Sequence, residues 1–458
     1  MFIMFLKSEL TKYIKNRPKS NKYWEEAKNV LPGGISHNIR TFGLHLIDAF
    51  PPIIKSANGA TLMDVDNISY IDCWMGHFAM ILGHDNHEVM KAVKEQLDHG
   101  WHLGTITEFQ IKLAQMLIND NSGIEMVRFC SSGTEATMYA TRLARAYTKR
   151  RIILKALLGW HGANDTLYYG VGSLNKETYP PGLCPSEEAG IITYEINTEE
   201  VFHLIKKYSK DIAAIILEPM LGGGGGFRAD IEYLKRLREE TEKNGILLIF
   251  DEVITGYRFL NSLFQNELKV IPDLTTMGKI IGGGFPIGAI GGRRDIIERS
   301  SLLSKNQVLI GGGTFSGYPI SMIAGMKTLE ILRRSESEYE RINELGTSLR
   351  NLLNKFFQES KSSIVATGYK SIVMLHTLSR FINNPNMREI IENSDKLREA
   401  LLHLCLFNRN ILGLHGLGSI SMAHTQTEIQ KIQVAVEEIA NSITNYNFNN
   451  KQKLKGIN

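Results

Sequence analysis

Short apolar runs alternate with helical stretches along the middle of the chain, from about residue 80 to residue 335. The runs are continuously apolar, which is the pattern of strands that are buried on both faces of a sheet. Strands that alternate with helices build a mostly parallel sheet covered by helices. The sequence therefore predicts an α/β fold with strands at residues 126–129, 152–154, 213–217 and 245–250.

The flanking segments have different patterns. Residues 1–80 combine a charged helical pattern with a hairpin predicted around Asp66 and Asn67. After residue 335, apolar residues recur at helical spacing. They are Ile342, Leu345, Leu349, Leu352 and Phe356 in one stretch, and Ile429, Ile432, Ala435 and Ile439 in another. We expect an N-terminal arm with part of a small domain (1–80), a large central domain (81–335) and a small C-terminal α+β domain (336–458).

Composition and charge argue against several classes of function. The 458 residues carry 52 basic and 48 acidic side chains, without a basic block that would follow a nucleic-acid backbone. No stretch approaches the roughly 18 consecutive apolar residues of a membrane span. We therefore expect a cytoplasmic protein that binds neither nucleic acid nor membranes.

Cysteine and histidine spacing gives no metal motif. The four cysteines lie far apart without a CxxC pair, and the histidines include no HExxH. We predict no metal site and four small buried hydrophobes at Cys73, Cys130, Cys184 and Cys405.

Polar or glycine clusters follow the apolar runs, at the edge of the sheet where ligands bind in open α/β folds. Four of them are SSGTEA (131–136), WHG (160–162), EPMLGG (218–223) and DEVITGYR (251–258), and a fifth segment is PDLTTMGKIIGGGFPIGA (272–289). The SSGTEA turn opens a helix whose free N–H groups suit a phosphate. Ser132 and Glu135 also fit a capping box, which is a feature of many ordinary helices.

Asp251 and Lys279 are the two candidate reactive groups. Asp251 directly follows a fully apolar strand and would suit a pyridinium nitrogen, or it could cap the next helix. Lys279 stands among apolar residues and glycines, a setting that lowers the pKa of an amine and favours its nucleophilic form. A surface lysine is the alternative, but it is unusual in such a segment. Neither a Walker loop nor GxGxxG is present.

The order of SGTEA, WHG, ILEP, DEVITG, PDLTTMGKIIGGG and GGTFSG resembles the class III aminotransferases of pyridoxal-phosphate fold type I. Among these enzymes the chain is most similar to the glutamate-1-semialdehyde 2,1-aminomutases. The resemblance implies a large domain with a mostly parallel sheet, a smaller α+β domain and pyridoxal 5′-phosphate as cofactor. It also implies a small-molecule amino donor, a carbonyl acceptor and a homodimer with shared active sites.

The resemblance also implies roles for individual residues. Lys279 would carry the cofactor as a Schiff base and Asp251 would pair with its ring nitrogen. The remaining contacts would come from Ser132, Gly133 and Thr134 at the phosphate, Trp160 and Val253 on the two ring faces, and Thr314 at the phosphate of the neighbouring subunit. Arg40 would face the substrate carboxylate, with an ordinary surface arginine as the alternative.

Several substrate-side positions depart from the aminomutase pattern. His77 stands for a tryptophan, Gly223 for an asparagine and Gly416 for an acidic residue, and the tract at 163–185 differs from the family's glycine- and serine-rich loop. We therefore favour an aminotransferase that acts on an amino acid or amino-carboxylate. An aminomutase and a non-catalytic binding protein are the alternatives.

Overall fold

The computed structural model describes residues 2–175 and 180–444. Its strands are β1 (Ile54–Asn58), β2 (Thr61–Asp64), β3 (Ser69–Asp72), β4 (Met126–Cys130), β5 (Ile152–Ala156), β6 (Ile191–Tyr194), β7 (Ile212–Leu217), β8 (Met220–Leu221), β9 (Phe227–Arg228), β10 (Leu247–Asp251), β11 (Leu274–Gly278), β12 (Gly288–Gly292), β13 (Ile364–Thr367), β14 (Ile372–Thr377), β15 (Ile411–Leu412) and β16 (Gly418–Ser419).

The helices are α1 (Phe2–Asn16), α2 (Pro18–Val30), α3 (Met75–Phe78), α4 (His87–Asp98), α5 (Glu108–Asp120), α6 (Gly133–Thr148), α7 (Ser186–Ala189), α8 (Glu200–Tyr208), α9 (Ile231–Lys243), α10 (Phe264–Leu268), α11 (Arg294–Ile297), α12 (Pro319–Arg333), α13 (Glu336–Glu359), α14 (Met387–Asn393), α15 (Lys396–Phe407) and α16 (Gln426–Thr444). None of these helices has both the length and the apolarity needed to cross a bilayer, over the described part of the chain. The chain divides into two compact units. One is Gly76–Arg341, and the other joins the residues up to Met75 with those from Ile342 onward.

A seven-stranded sheet, counted over the described residues, forms the centre of the unit Gly76–Arg341. Its strand order is β4-β12-β11-β10-β7-β5-β6. The strand β12 runs antiparallel to both of its neighbours, and the other pairs are parallel. The helix α6 packs across β11 and β12. The predicted α/β fold with a mostly parallel, helix-covered sheet is confirmed, as are all four predicted strands.

The sequence pattern did not identify β11 and β12, because their sequences LTTMG and GAIGG are not apolar runs. Both strands are nevertheless buried along their whole length. Glycine is needed there for close packing: a Cβ at Gly288 would stand 2.1 Å from the carbonyl oxygen of Ser132. The backbone of β12 thus lies directly against the turn that precedes α6.

The other unit contains two small sheets, with strand orders β1-β2-β3-β15 and β13-β14-β16 among the described residues. The predicted hairpin is present, since β2 and β3 pair antiparallel and Asn67 has the left-handed φ of a turn residue. The predicted apolar face of α16 is confirmed, because Ile429, Ile432 and Ile439 are buried.

Two sequence predictions were wrong in part. On α13, Leu352 is 47% exposed, whereas Leu353 and Phe357 are buried. Gly346 lies on the same buried face, where a Cβ would stand 2.2 Å from the carbonyl oxygen of Lys370. Among the cysteines, Cys184 is exposed and the other three are buried.

Leu352 and Leu353 offer a matched test of the buried face of α13. We expect Leu353→Ala to lower the free energy of unfolding by about 2–5 kcal/mol, because it leaves a cavity in a packed core. Leu352→Ala should change it by less than about 0.5 kcal/mol. Thermal and urea unfolding of the two variants measure the difference, and equal effects would contradict the assigned face.

Candidate active site

Four adjacent strands of the large sheet carry charged side chains at their carboxyl ends. Lys279 follows β11, Asp251 ends β10, Glu218 follows β7 and Lys155 lies in β5. These strands are mutually parallel, so their carboxyl ends meet at one edge of the sheet. Electrostatic interactions link Lys279 with Asp251 and Glu218, and Lys155 with the same two carboxylates. Along the row the side chains are basic, acidic, acidic and basic.

Asp251 is 2% exposed and accepts three hydrogen bonds. The hydroxyl of Thr276 donates to Oδ1 at 2.9 Å, the backbone N–H of Val253 donates to Oδ1 at 3.1 Å, and Nδ1 of His161 lies 2.7 Å from Oδ2. The next helix, α10, takes its cap from Glu252, which accepts from the N–H groups of Phe264 and Gln265. Asp251 is therefore oriented at the sheet edge and does not cap that helix.

His161 is buried and contacts the carboxylate of Asp251. Burial lowers the pKa of His161 although the hydrogen bond to Asp251 opposes the shift. A neutral imidazole that faces a carboxylate through Nδ1 carries its proton on Nδ1. Nε2 then has no proton, and it has no hydrogen-bond partner among the described residues. The sequence pattern selected the WHG segment but assigned His161 no role.

Lys279 begins a short 3-10 helix, Lys279–Gly282, with a φ of 50°. A left-handed φ is unusual for lysine and indicates that the surrounding structure fixes this residue. Burial lowers the pKa of Lys279, the charges of Asp251 and Glu218 oppose the shift, and Arg258 adds to it. Lys279 is thus no ordinary surface lysine, and its pKa shifts in the direction that the sequence predicts.

The start of α6 provides an anion site. Ser132 is the N-cap and accepts from the N–H of Glu135 at 3.2 Å. The predicted capping box is incomplete, because Glu135 accepts from the N–H of Ser131 rather than that of Ser132. Gly133 and Thr134 occupy the first two helical positions, whose N–H groups have no acceptor within the helix. These N–H groups suit a phosphate.

Val253 connects this helix start with the lysine strand. A Cβ added to Gly133 would come within 3.2 Å of both methyl groups of Val253, and one added to Gly278 would come within 3.3 Å of one of them. The Val253 side chain therefore lies against the backbone on both sides. It is brought close to Gly133 and to the residue before Lys279.

Trp160 contacts residues on either side of β8 and also Tyr168, which follows Trp160 in the chain. Its N–H donates to Oε1 of Glu218 at 2.9 Å, and its ring meets Tyr168 edge-on at 5.6 Å between centroids. A Cβ at Gly223 would lie 3.2 Å from Cβ of Trp160. Any larger residue at position 223 would thus press on Trp160.

Two predicted site residues are not part of this cluster. Thr314 is exposed, although the adjacent Gly313 lies close to Ser131 and Glu135. Arg40 is exposed in the 3-10 helix Asn38–Thr41, which belongs to the other compact unit. The altered tract at 163–185 includes residues 176–179, which lie outside the described residues.

The structure adds buried groups that the sequence pattern did not assign to the site. Lys155, His161, Glu218, Arg258 and Thr276 are all buried. Lys155 directly follows a predicted strand, and Glu218 begins the EPMLGG segment. The sequence does not show that both side chains are buried. A polar side chain in or after an apolar run is the one signal that could have found them.

These groups suit a ligand with three chemical features. The start of α6 accepts an anion, the oriented carboxylate of Asp251 accepts a protonated nitrogen, and the amine of Lys279 can react with a carbonyl. Trp160 and Val253 offer flat and apolar surfaces between these points. A flat, protonated heterocycle with a phosphate and an aldehyde satisfies all three.

Comparison with known proteins identifies the family. The sequence profile described as "Aminotransferase class-III" matches residues 47–369. A glutamate-1-semialdehyde 2,1-aminomutase of Methanothrix thermoacetophila is 39% identical over 370 residues, which cover 80% of this chain and 84% of the relative.

Solved structures agree with this match. A β-phenylalanine aminotransferase from Variovorax paradoxus has a TM-score of 0.85 at 27% identity, covering 96% of this chain and 97% of that one. A transaminase with PLP bound has a TM-score of 0.84 at 28% identity, covering 94% and 98%. The chain therefore belongs to the class-III aminotransferase family, and its cofactor is pyridoxal 5′-phosphate.

Proposed function

We propose that this protein transfers an amino group between an amino acid or other amino-carboxylate and a separate carbonyl acceptor, with Lys279 as the cofactor-bearing residue. The observation that carries the proposal is the buried contact of 2.7 Å between Nδ1 of His161 and Oδ2 of Asp251. Asp251 ends β10, the strand next to the one that Lys279 follows. An oriented buried carboxylate and an amine of lowered pKa are the two groups that this cofactor requires.

We assign the other contacts as the family resemblance implies. Ser132, Gly133 and Thr134 bind the phosphate at the start of α6, and Trp160 and Val253 contact the two ring faces. Asp251 holds a proton on the ring nitrogen, and His161 and Thr276 orient Asp251. Bound pyridoxal phosphate supplies an electron sink for the pair that remains when the substrate loses its Cα proton.

Lys279 also moves the proton. Its lowered pKa favours the neutral amine, which can accept the Cα proton of the substrate and return it at C4′ of the cofactor. Asp251 and Glu218 are almost inaccessible to water, so their carboxyl groups interact mainly with the protein. We expect Arg40 to bind the substrate carboxylate in a two-point contact.

Borohydride reduction tests the assignment of Lys279. Reduction of the cofactor-loaded protein should attach the cofactor permanently to Lys279, and peptide mass spectrometry should find it there. Lys279→Ala should bind the cofactor only reversibly and should lose activity. A control, Lys327→Ala, removes a lysine that pairs with Glu330 on the surface and should leave the attachment unchanged. Permanent attachment in Lys279→Ala would disprove the assignment.

Asp251 and Asp273 form a second matched pair. Both are buried, but Asp273 pairs with Arg238 and Arg293 instead of facing the site. We expect Asp251→Asn to lower the rate constant of amino transfer by roughly 10²-fold or more, the scale of a lost transition-state charge contact. Asp273→Asn should mainly lower the melting temperature. Stopped-flow half-reactions and thermal unfolding separate the two effects, and equal rate losses would contradict the role of Asp251.

Three departures from the aminomutase pattern support a separate acceptor. Gly223 leaves no side chain beside Trp160, and His77 has a left-handed φ of 61°. Gly416 has a φ of 83°, and a Cβ there would stand 2.3 Å from Cβ of Leu375. An acidic side chain does not fit position 416 in this backbone. The groups associated with retaining a reaction intermediate are therefore altered.

An intramolecular aminomutase is the second candidate, because the 39% identical relative bears that name. A donor and acceptor panel distinguishes the two. An aminotransferase should convert bound cofactor to its amine form with an amino-carboxylate donor and regain the aldehyde form with a keto acid. Formation of 5-aminolevulinate from glutamate 1-semialdehyde, with neither donor nor acceptor added, would favour the aminomutase.

We also expect a homodimer. Large apolar side chains are exposed on two loops that meet where the His102 and Phe315 rings lie 5.2 Å apart. These side chains are Trp101, Leu103, Ile106, Leu309 and Phe315. Exposed apolar side chains on neighbouring loops are typical of an association site, and a second copy would bring its Thr314 to the phosphate.

Sedimentation measures this association. Leu309→Glu, on the exposed apolar surface, should shift the protein toward monomer and weaken cofactor binding. Leu352→Glu places the same charge on the exposed side of α13 and should leave the dimer intact. A wild-type monomer at micromolar concentration would refute the dimer.

A further inference from the structure

One peptide unit of the site is held at both of its ends by buried charged side chains. Nζ of Lys155 donates to the carbonyl oxygen of Gly159 at 2.9 Å. Oε1 of Glu218 accepts from the N–H of Trp160 at 2.9 Å. This carbonyl and this N–H belong to the single peptide group that joins Gly159 to Trp160. Lys155 is 0% exposed and Glu218 is 2% exposed.

Each of the two side chains also binds a second backbone group, so neither is free to swing. Lys155 donates to the carbonyl oxygen of Ala156 at 3.1 Å, at the end of its own strand. Oε2 of Glu218 accepts from the N–H of Gly222 at 2.9 Å. The peptide group is thus tied to β5 on one side and to the glycine-rich loop after β7 on the other.

The backbone around this peptide group is strained and crowded. Leu158 has a φ of 67°, in the left-handed region that costs a non-glycine residue of order 1 kcal/mol. A Cβ at Gly159 would stand 2.9 Å from Nε2 of His161. Strained backbone persists only where surrounding contacts determine it. Here the carbonyl oxygen of Gly170 accepts from the N–H of Leu158 at 2.7 Å, and Lys155 and Glu218 hold the peptide group that follows.

The hydrogen bonds survive the pKa shifts of both groups. Burial lowers the pKa of Lys155 and raises that of Glu218. A neutral amine keeps two N–H donors, one for each carbonyl that Lys155 binds, and a protonated carboxyl keeps lone pairs on both oxygens. Neither group needs a full charge to hold the backbone.

We infer that Lys155 and Glu218 are positioning residues that hold the Gly159–Trp160 peptide group from both ends and so orient Trp160 and His161. Trp160 follows directly in the chain, and His161 is the next residue, whose Nδ1 meets Asp251. One rigid peptide group therefore fixes the orientation of Trp160, which we propose faces the cofactor ring. It also fixes His161, which supports Asp251. The consequence for the cofactor rests on the proposed roles of Trp160 and Asp251.

Fluorine NMR of the full-length protein labelled with 5-fluorotryptophan tests this inference directly. The chain has four tryptophans, and Trp160→Phe identifies the resonance of Trp160. Lys155→Met removes the donors but keeps an unbranched side chain, and Glu218→Gln keeps the volume of the acid. We expect each variant to shift or broaden the Trp160 line, with and without cofactor, while the other three lines stay in place.

Glu252→Gln is the matched control, because it makes the same exchange at a carboxylate that is 1% exposed and binds the N–H groups of Phe264 and Gln265. It should lower the melting temperature and leave the Trp160 line unmoved. A Trp160 line that is unchanged in both Lys155→Met and Glu218→Gln would overturn the inference. So would an equal shift of that line in Glu252→Gln.

Cofactor titration separates this inference from the proposed function. We expect Lys155→Met to weaken cofactor binding about tenfold or more, the size usual when groups that orient a ligand partner are removed, while borohydride still attaches the cofactor at Lys279. A shifted Trp160 line with unchanged cofactor affinity would confirm that Lys155 and Glu218 clamp the Gly159–Trp160 peptide group. It would also contradict the proposed role of Trp160. An unshifted line with attachment at Lys279 would refute the clamp alone.

Discussion

The burial of Asp251, Glu218 and Lys155, beside the half-buried Lys279 at the same edge of the central sheet, is the constraint on which the candidate active site depends. Lys279, Asp251, Glu218 and Lys155 lie at the ends of four adjacent parallel strands. An isolated charge would be costly to bury there, but opposite charges and backbone hydrogen bonds offset the cost. Each charge is therefore tied to its neighbours.

This arrangement links stability to chemistry. Hydrogen bonds to Thr276, Val253 and His161 keep Asp251 oriented where it has little access to water. Burial favours the neutral form of Lys279, which is the reactive form of an amine. The groups that make the sheet edge costly to bury are the groups that suit pyridoxal phosphate.

Glycines in the site have no Cβ, which allows close packing of the backbone. Gly288 lets β12 approach the turn before α6, and Gly133 and Gly278 leave space for Val253. Gly223 does the same beside Trp160. The close packing of backbone in this region brings the start of α6, Val253 and the residue before Lys279 together.

The fold class, the four apolar strands, the hairpin at Asn67 and the motifs that carry Lys279 and Asp251 can all be predicted from the amino-acid sequence. These features are local, because runs, turns and motif order can be recognised within short segments. Strands β11 and β12 escaped prediction because their glycines and threonines are buried by neighbours distant in sequence. The buried face of α13 was misassigned for a related reason, since it includes Gly346, which packs against the backbone of Lys370 and is not part of an apolar pattern.

Which polar groups contact one another depends on the three-dimensional arrangement of the strands. His161 meets Asp251 across 90 positions of sequence, and Lys155 and Glu218 meet on the peptide group before Trp160. Burial and hydrogen-bond geometry depend on strand order, which no local pattern encodes. The sequence therefore predicted Lys279 and Asp251 as the reactive residues, and the fold showed which side chains surround and orient them.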